Sequence, residues 1–296
     1  MKRLFLAFLI TCTLAGSSIA QRVPAPSPSS TIQQAVGITD FTVSYSRPSL
    51  KGRQAFGPGA PLAPAGQVWR TGANQATTLE ASTDFTFGGK TIPAGKYALF
   101  SIPNGSSWTV ILNKNYQGGI GAYSESNDVA RVQAGTLSTA PVETFTIGFS
   151  DLTETSATLA LSWAGVTVPV KLEVATDELT TASLKEAVAK NPEDAATLQT
   201  AATYMLGKEK DLDQALALAD KSIGLKESFA NVWLKAQILN KLGKVGEAVP
   251  LAEKALALGK AANFASFYQE QIETALSDWK TKLPAVAPAV KKGKRK

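Results

Sequence analysis

Four basic side chains, Arg47, Lys51, Arg53 and Arg70, fall within a stretch from Phe41 to Leu79 that contains no acidic residue. Tyr45 and Trp69 are interleaved with them, and Asn74 follows in the run VWRTGANQAT. A guanidinium group presents forked N–H donors that match two oxygens of a carboxylate, sulfate or phosphate, and an aromatic face offers a wall for a sugar or ring. Tyr45, Arg47, Lys51, Arg53, Trp69, Arg70 and Asn74 are therefore the candidate ligand-binding set, for a small anionic or saccharide ligand. A competing reading keeps them inside the fold. Alternation in FTVSYSR carries Phe41, Val43, Tyr45 and Arg47 along one strand face, so Arg47 leaves that face at the rim of a core. A charge there needs partners, because burying it unpaired costs on the order of several kcal/mol. Glu143, Asp151 or a row of carbonyl oxygens would serve, with Trp69 as plain core.

Other chemistry is excluded by composition. The chain has no histidine, and its one cysteine is Cys12. Ser-His-Asp triads, Cys-His pairs, zinc sites of the usual ligands and haem ligation by histidine all lack their parts. Gly89-Lys90-Thr91 is no phosphate-binding loop, since Asp84 stands where the first glycine belongs. Carboxylates remain, and a glycoside hydrolase needs only a pair of them. The N-terminal half holds Asp40, Glu80, Asp84, Glu125, Asp128, Glu143, Asp151, Glu154 and Glu173. Asp128, in the polar run YSESNDVAR beside Tyr123, is the first to test. No metal and no cofactor is expected.

The elements that must position these residues divide the chain. WTVILN, TFTIGF, ATLALSW and GVTVPVKLEV alternate with period two, and Phe85-Thr-Phe and Lys90-Thr-Ile flank Gly88-Gly89 as a hairpin. About eight short strands with frequent turns predict an antiparallel β-sandwich, or a closely related barrel, over residues 31–175. From Asp177 the period becomes helical, and residues 212–225 align without gaps on residues 245–258, so that Ala215 matches Ala248, Ala219 matches Ala252 and Lys221 matches Lys254. That 33-residue offset, with a helix preceding each copy, resembles tetratricopeptide repeats. Gly243 occupies the turn between paired helices, while the first copy departs, with Lys210 at that place and Ser222 where the second has Ala255. Residues 176–283 are thus expected to be a short α-solenoid of helical hairpins, closed by a stripe of Phe267, Ile272, Leu276 and Trp279. It either offers a protein partner a surface or serves only to pack.

The ends carry the rest. MKRLFLAFLITCTLAGSSIA has two basic residues, a short apolar run and small residues before Gln21, the pattern of a signal peptide over residues 1–20. A Pro/Ser-rich linker spans 21–30, and a Pro/Ala-rich, basic tail spans 284–296. The formal charge of +6 is concentrated in these ends: without the leader and the last six positions, 23 basic residues face 24 acidic ones. The expectation is an exported, envelope-associated protein, periplasmic or extracellular, with no transmembrane segment and no nucleic-acid partner.

Residues 30–175 also resemble a known family. YSRPSLKGRQAFG, VWRTGANQATTLEAS, GGKTIPAGKYALFSIP and WTVILNKN occur in the order found in exported bacterial proteins of the domain of unknown function 2911 family. The residues carried by that resemblance are Tyr45, Arg47, Pro48, Lys51, Gly52, Arg53, Trp69, Arg70, Gly72, Ala73 and Asn74. It implies domain limits and export, and no activity. The sequence reading is therefore an exported, envelope-associated binding or assembly module, with a carboxylate-dependent glycan hydrolase and a purely structural module as alternatives.

Overall fold

A computed structural model describes residues 23–283. The expected leader with Cys12, the start of the linker and the basic tail lie outside the described residues. The chain divides into two compact units, one ending at Thr176 and the other beginning at Asp177.

The first unit holds two antiparallel sheets. One runs, in spatial order, β1 (Ser29–Val36), β2 (Thr39–Ser46), β3 (Thr77–Ala81), β6 (Gly95–Ile102), β7 (Ser107–Asn113) and β8 (Asp128–Gly135). The other runs β10 (Thr146–Ser150), β11 (Ser156–Trp163), β12 (Val166–Glu173), β4 (Phe85–Phe87) and β5 (Lys90–Ile92), and the two-residue β9 (Leu137–Ser138) pairs with the start of β12. Twelve strands among the described residues exceed the eight suggested by alternation. The strands not named from the sequence are β1, β3, β6, β8 and the two-residue β9. The predicted hairpin is β4–β5, with Gly88 and Gly89 at φ 52° and 85° supplying the left-handed turn.

Alternation decides what each sheet buries. In β2, Thr39, Phe41, Val43 and Tyr45 point inward, and in β11 Ala157, Leu159, Leu161 and Trp163 do the same. These inner faces form one hydrophobic cluster with Leu99, Val110, Leu112, Val168, Val170 and Leu172. The thirty residues between β2 and β3 contain no strand, yet they are held down. Trp69 makes an isolated antiparallel bridge with Ser101 of β6 and stacks on Trp163 of the other sheet at 5.7 Å and 15°. Phe56 packs edge-on against Trp108 at 4.8 Å. Truncating an aromatic as buried as Trp163 costs about 3–5 kcal/mol, so this cluster fixes the path of the long loop.

The second unit consists of α1 (Thr176–Lys190), α2 (Ala195–Gly207), α3 (Leu212–Leu225), α4 (Phe229–Lys241), α5 (Val245–Ala261) and α6 (Ser266–Thr281). From α2 onward successive helices pack on one another, an arrangement consistent with helical repeats. The aligned positions Ala215/Ala248, Ala219/Ala252 and Ser222/Ala255 are all fully buried, as close helix packing requires. Gly243 turns the chain at φ 77°; in the first copy, where Lys210 stands instead, Glu209 and Asp211 take the left-handed conformations at 51° and 49°. Asp194 caps α2 by accepting from the Thr197 amide at 2.9 Å, and Ser228 with Asn231 forms a capping box on α4.

The closing stripe on α6 is Ile272, Leu276 and Trp279, and Trp279 stacks on Trp233 at 5.4 Å. Phe267 is not part of it, being 66% exposed. Five residues before Ile272 lies well round the helix from the stripe, because five steps of about 100° do not return to the same face. Among the described residues, no helix is long and apolar enough to cross a membrane.

Candidate functional site

Six of the seven candidate residues separate into two groups, and Lys51 belongs to neither. Tyr45 and Arg47, at the end of β2, turn to β10 in the opposite sheet. The Tyr45 hydroxyl accepts from the Ile147 amide at 3.0 Å and donates to the Ile147 carbonyl at 3.3 Å, while its ring meets Phe145 edge-on. Arg47 donates through Nε to the Phe145 carbonyl at 3.1 Å and through Nη2 to Thr146 Oγ1 at 2.7 Å. The partners expected for an internal arginine were Glu143, Asp151 or carbonyl oxygens, and Arg47 takes a carbonyl and a hydroxyl. The Glu143 carboxylate instead accepts from the Lys51 amide at 2.7 Å. Lys51 sits in a turn at φ 49° with its side chain exposed.

Arg53, Trp69, Arg70 and Asn74 form the other group, and all line one open cleft of about 450 Å3. Alternation explains the split between Trp69 and Arg70: Trp69 enters the core, where its indole donates to the Gly72 carbonyl at 3.1 Å, and Arg70 faces outward. Arg70 Nη1 donates to the Asn74 carbonyl at 2.6 Å, which holds the guanidinium against the loop. Asn74, at φ 60°, gives its amide to the Ser27 carbonyl and to Ser46 Oγ at 3.4 and 3.2 Å. Arg53 folds back on its own turn, donating to the carbonyls of Leu50 and Ser49 at 3.0 and 2.8 Å. Gly72 lets the backbone pass closely: a Cβ there would lie 2.9 Å from the Ser46 carbonyl, at φ 153°.

Among the described residues, the cleft lining contains no acidic side chain. Neither Arg53 nor Arg70 makes an ion pair among the described residues, whereas Lys96, Arg131 and Lys171 of the same unit pair with Glu80, Asp128 and Glu173. Arg70 retains Nε and Nη2 as donors without partners among the described residues. Ile120 and the buried Trp163 are among the further lining residues outside the candidate set. Trp163 carried a signal only as the last inward position of ATLALSW; nothing local links it to Arg70.

Asp128 lies elsewhere, at the head of β8. Its carboxylate is 6% exposed. It accepts from Asn113 Nδ2 at 2.7 Å, the Tyr123 hydroxyl at 3.0 Å and Arg131 Nη1 at 2.8 Å. Burial first, then the hydrogen bond to Asp128, holds the Tyr123 phenol above its ordinary pKa. The hydrogen bond to Asp128 raises that of Arg131. The cluster ties the loop after β7 to the outer face of the sheet, where Tyr123 meets Phe100 edge-on at 5.0 Å. Both oxygens of Asp128 are engaged, so it has the features of a buttress. No group of three potential metal-binding side chains of His, Cys, Asp or Glu occurs among the described residues.

No curated protein matches the chain. A family model described as "Protein of unknown function (DUF2911)" matches residues 27–172, a span that contains Tyr45 and Arg47, the cleft and the Asp128 cluster, and none of the helices. The match places a DUF2911 domain in the β unit of this chain, over residues 27–172.

Proposed function

We propose that the chain is an exported, envelope-associated binding module whose β unit captures a small anionic ligand of saccharide size and whose helical unit engages a protein partner. One observation carries the reading: two guanidinium groups open on a cleft of about 450 Å3 that has no carboxylate in its lining. Guanidinium donors without partners among the described residues suit an oxyanion. The signal-peptide pattern of residues 1–20 supports export. The hydrolytic alternative has less behind it, since Asp128 is occupied by three donors and the cleft offers no acid or base.

The test is thermal unfolding of the intact chain with glucuronate and with N-acetylglucosamine. At about 100 times its dissociation constant a ligand adds roughly 2.7 kcal/mol, a rise of about 5–10 °C for a unit of this size. Glucuronate should give that rise and the neutral sugar should not. Arg70→Gln and Arg53→Gln should keep the fold and lose the rise. An equal response to both sugars, or an unchanged glucuronate response in both variants, overturns the proposal.

A further inference from the structure

The outer face of the first sheet carries a second depression, a groove of about 440 Å3. Antiparallel register lays hydroxyls across its floor: Thr31 stands opposite Ser44, Ser44 opposite Thr78, and Ser29 opposite Ser46. One wall is Tyr116, on the loop after β7, with its side chain partly exposed and Lys96 Nζ 5.8 Å from the ring centroid. Lys96 is itself neutralised by Glu80 at 3.5 Å. The groove thus offers donors, acceptors and an aromatic face without a net charge.

Its position gives it meaning. Asn74 lines the cleft and Gln75 the groove; Ser27 lines the cleft and Ser29 the groove. Between them the Asn74 amide bridges the Ser27 carbonyl on one side and Ser46 Oγ on the other. The two depressions therefore adjoin across a single polar side chain. Serine and threonine hydroxyls both donate and accept, as sugar hydroxyls require, and an exposed aromatic face packs on the apolar face of a pyranose.

We propose that cleft and groove form one extended site for an acidic oligosaccharide, its charged residue held by Arg53 and Arg70 and its neutral sugars lying on the hydroxyl floor against Tyr116. This rests on the reading of the cleft as an anion site, and the experiment separates the two. Intact chain is titrated calorimetrically with glucuronate, with a trisaccharide bearing one terminal glucuronate on two neutral xylose units, and with neutral xylotriose. The acidic trisaccharide should bind at least about tenfold more tightly than glucuronate, the scale of one aromatic stacking contact. Tyr116→Ala should erase that advantage while leaving glucuronate binding unchanged, and Tyr116→Phe should keep it. Should glucuronate bind through Arg70 while the trisaccharide binds no better, or should Tyr116→Ala leave the trisaccharide advantage intact, the extended site is wrong and the cleft reading stands. Should no acidic probe bind, or should xylotriose match the acidic trisaccharide, both fail.

Discussion

Replacing Tyr45 by phenylalanine isolates one device of the β unit. The ring keeps its place against Phe145, and only the hydroxyl between the two sheets is lost. That oxygen serves both the amide and the carbonyl of Ile147, at 3.0 and 3.3 Å, in a buried setting. Leaving a buried backbone group unsatisfied costs about 1–3 kcal/mol. The shorter bond belongs near the middle of that range and the longer one near its floor, for a total of about 3 kcal/mol. A unit of this size loses roughly 2–4 °C per kcal/mol, so its melting temperature should fall by about 6–12 °C. The readout is tryptophan fluorescence of the intact chain, because Trp69, Trp108 and Trp163 are core residues of this unit. Trp233 and Trp279 report a separate helical transition that should not move. A fall of less than about 2 °C would refute the reasoning, since it would mean that the Ile147 backbone finds other partners. Glucuronate binding should survive in the folded variant, because Tyr45 works across the sheets and not at the arginines of the cleft.

Three further outcomes concern the helical unit. A Lys210 hydrogen bond first, and then one from Tyr204, holds the Asp177 carboxyl below its ordinary pKa; its contribution is present above the unfolded value near 4 and is lost as pH falls through the lower folded value. Asp177→Asn should therefore lower the helical melting temperature at pH 7 and match the native chain at about pH 2, and a difference persisting in acid would sink the assignment. Ser222 donates to the Ala195 carbonyl at 2.8 Å and accepts from Asn231 at 3.1 Å, so Ser222→Ala, although it restores the repeat, should cost about 1–2 kcal/mol in urea unfolding. Ala255→Ser, the reverse exchange at the aligned buried position, should also destabilise.

Period-two alternation made Phe41, Val43 and Tyr45 legible as core because inward direction is a local property of a strand. The partner of Arg47 was not legible, since Phe145 and Thr146 lie about a hundred positions away and reach it only when the second sheet closes over the first. The same limit applies in part to Asp128: its tyrosine and its arginine both lie within YSESNDVAR, but Asn113 comes from the neighbouring strand β7. Arg70 and Asn74, four residues apart, could be joined from sequence; Arg53 reaches the same cleft along a loop with no period to read. In the helices the aligned alanines marked close contacts directly. The departure at Ser222 acquired a reason only when Asn231 and Ala195 were seen around it.

The lining of the cleft also fixes how it responds to its surroundings. It is built of guanidinium, amide, hydroxyl, indole and aliphatic groups, and the chain has no histidine. With no histidine, the cleft lacks the side chain whose ordinary pKa lies between about pH 5 and 8, and a uronate stays ionised over that interval. For the exported module proposed above, ionic strength is then the external variable that should loosen the grip of Arg53 and Arg70 on an anion.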